Sequence, residues 1–334
     1  MKDYNKLEMK KQELVQKNLG FDPLEKNYKN LQAEIAYAPV NFALIKYWGK
    51  DDEELMIPKT NSLSVSLGKN LGSTSQIEVS DKDVLIVNKK EIDSKDKKYL
   101  KVFDYLNLFR SQNLKLKITL NTTVPIAAGL ASSAALFASL ILTINKFFKW
   151  NLPNKKLSIL ARLGSGSAAR SIYLNGFVEM KKNNGLQASA KQLKYEWPDL
   201  YLGIVLVSEK EKSISSRDGM KQTVENSMLY TYGWKKQISK DLYKLKNAIK
   251  IRDFPAFSTI VQRNALAMHA TAISAGVIYW SEETLKMIQY VLELQKQNIP
   301  ICFTIDAGPN LKIFTQDEEI LKKYFEDAQV YKLF

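Results

Sequence analysis

Residues 123–148, TVPIAAGLASSAALFASLILTINKFF, change character partway along. The run leading in, LKITLNTTVP, is β-rich and polar, whereas everything after Ser133 is apolar on nearly every face. A strand, a small-residue turn and a buried core helix follow from that contrast. Gly129 and the neighbouring alanines let backbone approach a ligand without Cβ obstruction. Ser132 and Ser133 fall where a helix N-cap and first turn belong, beside free N–H groups and the positive end of the helix dipole. Such a turn suits either a phosphate or plain tight packing. It is not a Walker loop, because no Lys-Ser/Thr pair follows the glycine.

Outward from this turn, composition sets the bounds. A chain of 334 residues buries a large core and reads as two domains. The balance of 49 Lys+Arg against 35 Asp+Glu leaves +14, which calls for an anionic partner: nucleic acid, a membrane or a phosphorylated metabolite. The single cysteine, Cys302, excludes an internal disulfide and a Cys-based zinc cluster. One histidine, His269 in ALAMHATAIS, excludes a His-rich metal site, argues against a Ser-His-Asp triad and reads as a packed helical residue. A charged N-terminus without an apolar run, and no apolar stretch of membrane-spanning length, lead to the expectation of a cytoplasmic protein that does not engage a membrane.

Residues 1 to about 33 read as a Lys/Glu/Gln-rich helical extension with little apolar surface, a peripheral appendage. Two β-type runs, around Asn41–Trp48 and Ser62–Leu67, flank a polar turn at Gly49–Glu54. The first run gathers Lys46, Tyr47, Trp48 and Lys50, cations and a hydroxyl able to hold a multiply charged phosphate or to sit solvated at a strand end. Asn41 stands between apolar residues, and a buried amide needs a partner. Further strands (QIEVS, VLIVN) and a helix follow, with the lysines of KKEIDSKDKK reading as solvated surface. A short helix to Gly164 leads into GSGSAARS, where Arg170 between small and apolar residues wants either a ligand anion or an internal carboxylate. Residues 181–196 read as a polar crossover and domain boundary. Beyond the strand YLGIVLVS, Lys212, Ser215, Ser216 and Arg217 cluster before helices running to about Thr271. ICFTIDAGPN is an apolar strand with Asp306 at its tip, suited to general-base or electrostatic work, or to starting a turn.

Seven of these segments, APVNFALIKYWGK, NSLSVSL, TVPIAAGLASSA, GSGSAARS, SSRDGMKQTVE, NALAMHAT and FTIDAGPN, together resemble the diphosphomevalonate decarboxylase family of the GHMP kinase superfamily. The resemblance runs from about Ile35 to the end. It implies an α+β, two-domain fold: an extension at 1–34, an ATP-binding domain at 35–190 with a mixed sheet and helices, and a ferredoxin-like domain at 191–334. The active site would lie in the cleft between them. It implies ATP-dependent decarboxylation of mevalonate 5-diphosphate to isopentenyl diphosphate, with ATP and Mg2+ bound, no direct protein ligand to the metal, and a homodimer. Asp306 would orient or deprotonate the C3 hydroxyl and Arg170 would grip the substrate carboxylate. Asn41, Lys46, Tyr47, Trp48, Lys50, Ser165, Gly166, Ser167 and Arg217 would surround the substrate. Ala128, Gly129, Leu130, Ser132, Ser133, Lys212, Ser216 and Met220 would face the nucleotide. The chain departs from the family pattern at Val40 (usually Thr), Ala169 (usually Cys) and SAGVIYW at 274–280 (usually Pro-Pro-Phe-Thr-Tyr). Alternatives are a mevalonate 3-kinase or monophosphate decarboxylase of the same fold, and a basic nucleic-acid-binding protein. Against the last, no contiguous basic stripe is interleaved with aromatics.

Overall fold

A computed structural model of the chain describes residues 2–123, 132–208 and 213–334, with side chains from Met9 onward. The first half runs α1 (Lys2–Leu19), β1 (Glu34–Pro39), β2 (Asn41–Ile45), β3 (Lys50–Asp52), β4 (Ile57–Pro58), β5 (Ser62–Leu67), β6 (Gly72–Val79), β7 (Val84–Val87) and β8 (Lys90–Glu91). It continues with α2 (Lys97–Leu106), β9 (Leu116–Thr122), α3 (Ser132–Phe147), α4 (Asn154–Gly164), a 3-10 turn at Gly166–Ala169, β10 (Asn175–Lys181) and β11 (Ser189–Gln192). The second half runs β12 (Tyr201–Val205), α5 (Ser216–Asn226), a π-helical turn at Tyr230–Trp234, α6 (Lys235–Ile251) and α7 (Phe254–Ile273). It closes with α8 (Glu282–Lys296), β13 (Ile301–Ile305), β14 (Leu311–Thr315), α9 (Glu318–Tyr324) and β15 (Gln329–Lys332).

The helix expected after Ser132 is α3, and it buries residues around most of its circumference. One side lies against β1 and β6 and the other against α4 and the 3-10 turn, so no polar stripe is left for solvent. Inside it, Thr143 closes a buried bond with Ser75 of β6 (2.6 Å), which satisfies both hydroxyls. The flanking sheet, β1-β6-β9-β7-β8, is mixed because β7 runs parallel to β9 while its other pairs are antiparallel. A second sheet, β11-β10-β5-β2, is antiparallel throughout. Its strands β2 and β5 are buried on both faces rather than alternating, because helices of the second half cover the side away from α4. The third sheet, β13-β14-β12-β15, has four antiparallel strands in a β-helices-β-β-α-β chain order, the ferredoxin-like arrangement.

Two expectations are corrected here. The N-terminal segment is not a peripheral appendage poor in apolar surface: Leu14, Val15 and Leu19 are buried in the first-half core, and Tyr28 packs on Phe148 at 4.2 Å. At ~1.5–3 kcal/mol for each fully buried aliphatic side chain, that docking is substantial. The 181–196 stretch is not one open crossover either. β11 pairs with β10 and keeps the chain in the first-half sheet as far as Gln192.

One large apolar cluster joins the halves, from Val40 and from Phe42 and Leu44 of β2 to Phe257 and Val261 of α7 and Phe314 of β14. Continuous packing of this kind fixes the end of β2 relative to β13 and β14.

Candidate active site

β2 delivers Lys46 to the seam between the halves. Its backbone N–H donates to Asn264 Oδ1 (2.9 Å) of α7, and Asn264 Nδ2 donates to Asp241 Oδ2 (3.3 Å) of α6, so two second-half helices fix where the strand ends. The Lys46 ammonium, 1% exposed, donates to Asp306 Oδ1 at 2.7 Å. Asp306 stands immediately after β13, and Lys312 Nζ of β14 lies 3.3 Å from its other oxygen, Oδ2. Burial alone would raise the Asp306 carboxyl. The ammonium groups of Lys46 and Lys312 outweigh it and hold it well below the usual carboxylate range. Lys46 in turn is pushed down to about 8, because burial outweighs the help it receives from Asp306.

Arg170 follows the 3-10 turn and is 2% exposed. Its Nε donates to Asn41 Oδ1 (3.1 Å) and its Nη1 to Ser62 Oγ. Asn41 is the buried amide of β2, and its Nδ2 donates to Ser171 Oγ (2.7 Å) and the Ser167 carbonyl (3.3 Å). No carboxylate lies within 4.0 Å of Arg170 among the described residues. The internal acid that the sequence left open is therefore absent from its contacts. Burial pushes the guanidinium down to about 10, and the nearest compensating charge is Asp306, so the two residues share one field.

Tyr47 lies over the Gly166 turn. A Cβ at Gly166 would come 2.2 Å from the Tyr47 hydroxyl oxygen, so only glycine admits the ring there. Tyr47 Oη donates to the Met56 carbonyl (3.3 Å), while Ser165 and Ser167 hydroxyls meet at 3.3 Å. Lys50, 8% exposed, pairs with Glu53, and its pKa is lowered by burial against the opposing effect of that partner. Arg217, in the first turn of α5, is exposed and lies 3.8 Å from Met56 Sδ. Trp48 and Met220 sit in the apolar core joining the halves; Trp48 is edge-on to Tyr279 at 6.3 Å. His269 is buried on α7 with its ring 4.7 Å from that of Trp280, and burial, reinforced by Lys46, pushes it down to about 3. It is thus neutral across the working pH range.

On the other side of α3, a cavity of about 140 Å³ is walled by Leu85, Val87 and Leu120 and rimmed by Ser132, Ser133 and Lys101. The Lys101 ammonium lies 5.1 Å from the Phe137 ring centre, and its pKa is lowered by burial and then by Arg217 and Lys50. Ser216 opens α5. Ala128, Gly129, Leu130 and Lys212 lie outside the described residues.

Four residues escaped the sequence reading. Lys312 stands inside a buried apolar strand and Lys46 immediately after one, closely similar signals of which the sequence reading took up only Lys46. Lys98, placed among solvated lysines, lines the cavity with Lys101. Asn264 falls in a recognised segment without a role. Among the described residues no group of three or more His, Cys, Asp or Glu side chains could hold a metal, and no helix is long and apolar enough to cross a membrane.

Comparison with known proteins bears on the chain as a whole. Residues 38–191 match the family model described as a diphosphomevalonate decarboxylase-like N-terminal domain, and residues 202–331 match a mevalonate 5-diphosphate decarboxylase C-terminal domain. The diphosphomevalonate decarboxylase of Ganoderma lucidum is 33% identical, over 89% of this chain and 83% of that protein. The human one is 33% identical over 87% and 79%. Among solved structures, mevalonate diphosphate decarboxylase from Staphylococcus aureus superposes with a TM-score of 0.83 at 31% identity, covering 91% of this chain and 96% of that one. MDDEF in complex with MVAPP, AMPPCP and magnesium gives 0.81 at 37%, covering 90% and 96%. The fold is thus the GHMP kinase fold, and the chain belongs to the diphosphomevalonate decarboxylase family of enzymes.

Proposed function

We propose that this chain catalyses the ATP-dependent decarboxylation of mevalonate 5-diphosphate to isopentenyl diphosphate, releasing ADP, phosphate and carbon dioxide. One observation carries the reading. A buried guanidinium without a carboxylate partner among the described residues, Arg170, shares a field with a carboxylate, Asp306, whose oxygens are claimed by two lysines. A ligand with a carboxylate and a hydroxyl completes both: the carboxylate takes the remaining N–H groups of Arg170, and the hydroxyl donates to Asp306.

The C3 hydroxyl oxygen attacks the γ-phosphorus of ATP, its proton passes to a phosphate oxygen, and the β–γ bridging bond breaks to leave ADP. The C3–O bond of the resulting phosphate ester then breaks, placing positive charge at C3. The bond from C2 to the carboxylate supplies the electron pair for the alkene as carbon dioxide leaves. With its low basicity, Asp306 orients the hydroxyl and anchors it electrostatically rather than storing its proton. Arg170 holds the carboxylate so that the breaking bond stays aligned with the emptying orbital. Lys50, Arg217, Tyr47, Ser165 and Ser167 suit the 5-diphosphate, with charge-assisted bonds of ~1.5–3 kcal/mol each. Glu53 must yield Lys50 for that contact. The apolar-walled cavity suits an adenine, with Ser132, Ser133 and Lys101 toward its phosphates. Magnesium, when bound, neutralises phosphate oxygens, and the serine hydroxyls at this rim fit a metal held chiefly by those oxygens. In this reading the first domain runs through β11 to Gln192 rather than ending at residue 190, the second domain follows it, and their cleft is the site.

The test offers ATP with mevalonate, its 5-phosphate and its 5-diphosphate in turn while ADP and carbon dioxide are measured together. Equimolar ADP and carbon dioxide from the 5-diphosphate alone is the expected result. ADP without carbon dioxide would make the protein a kinase and overturn the reading.

A further inference from the structure

Lys312 has no place in the steps above, yet its burial demands a reason. It stands mid-strand in β14, 1% exposed, between the apolar residues Leu311 and Ile313. In the β13–β14 hairpin it pairs with Thr304, so residues 304, 306 and 312 share one face. Its Nζ lies 3.3 Å from Asp306 Oδ2, 3.3 Å from the Asn310 carbonyl oxygen, and 5.1 Å from the centre of the Phe42 ring. Phe42 belongs to β2, the strand that also delivers Lys46. A strand position with this burial would be filled more cheaply by leucine if packing were its purpose. What a lysine adds is a second grip on Asp306. A carboxylate held by one oxygen can still swing about its Cβ–Cγ bond, whereas two cations on separate strands fix its plane.

We propose that Lys312 is a positioning residue for the reaction, holding Asp306 Oδ2 while Lys46 holds Oδ1, so that the carboxylate meets the substrate hydroxyl in one orientation. This rests on the reading of Asp306 as the group that faces that hydroxyl. The ionisable groups around Asp306 are Lys46 of β2, Lys312 of β14, His269 of α7 and Arg170 beyond the 3-10 turn. His269 is neutral here, so removing Lys312 leaves Lys46 and the more distant Arg170 as the positive charges. Asp306 then titrates at higher pH, and its anionic form is lost sooner as pH falls.

The experiment follows the Asp306 carboxyl carbon by 13C NMR in substrate-free protein, assigned with Asp306→Asn, in wild type, Lys312→Met and Lys312→Arg. The expected result is a midpoint raised by about 1–3 pH units in Lys312→Met. The acid limb of its kcat profile moves in the same direction, kcat falls about tenfold or more, and the KM for ATP stays within about twofold. Lys312→Arg restores the midpoint and part of kcat. If Lys312→Met fails to fold, Lys312→Gln carries the same comparison. An Asp306 signal and an acid limb that stay where they are, with only thermal stability changed, overturn the role of Lys312 whatever the substrate. A moved signal in a protein whose wild type yields no carbon dioxide overturns the reading of the site instead.

Discussion

Replacing Arg170 by methionine separates chemistry from architecture, because the structure gives the two effects very different magnitudes. The substitution removes a donor to Asn41 Oδ1 and a donor to Ser62 Oγ, about 1–3 kcal/mol for each group left without its bond. It also removes a buried cation that lacks a carboxylate partner among the described residues, and relief of that desolvation offsets much of the loss. The net change in stability is expected to stay within about 2 kcal/mol, a few degrees in Tm. Turnover has no such compensation. Two charge-assisted hydrogen bonds to the substrate carboxylate, at ~1.5–3 kcal/mol each, are worth roughly 3–6 kcal/mol, or about 10²–10⁴ in kcat. Carbon dioxide release under saturating ATP, set beside a thermal melt, gives both numbers. A Tm that drops by more than about 10 °C while kcat stays within threefold would refute the argument and make Arg170 a structural clamp.

Asp306→Asn should abolish turnover, while equilibrium dialysis with ATP finds affinity within about threefold of wild type; retention of most of kcat would remove Asp306 from the reaction. Gly166→Ala places a methyl 2.2 Å from the Tyr47 hydroxyl oxygen and must displace that ring. It should cost about 1–3 kcal/mol, read as a raised KM for the diphosphate substrate with the KM for ATP unchanged. The pH profile of kcat/KM should fall on its alkaline side near 8. Lys46 is charged below the value to which burial has pushed it and loses its hold on Asp306 as pH rises through it. In Lys46→Arg that limb should leave the measurable range, and a limb that persists unchanged would assign it to another group.

Much of this architecture was legible because apolar patterning and local chemistry agreed. The core helix announced itself by apolar residues on every face, Asn41 by an amide among aliphatics, and Asp306 by an acid ending an apolar strand. Lys312 was harder: in LKIFT one lysine reads as the solvent side of an edge strand, and only β12 and β13 on either side make it interior. Lys101 and Lys98 were hidden for a different reason, since the cavity they rim is assembled from strands and helices distant in sequence. In α1, Leu14 and Val15 are too few among charges to reveal a docked face. Trp48 and Met220 sat beside reactive residues in sequence, yet both are packed into the apolar core joining the halves.

The Asp306 carboxylate works as a rivet between the two halves of the chain. One of its oxygens is held by a lysine from the first half and the other by a lysine of its own hairpin. Spreading the seam strips away only the first grip, so the site loses its working arrangement before either half loses its fold. Under the proposed reaction, the Lys46–Asp306 hydrogen bond is the contact across the seam that bears directly on the reacting carboxylate, so a spectroscopic label on that carbon reads its state.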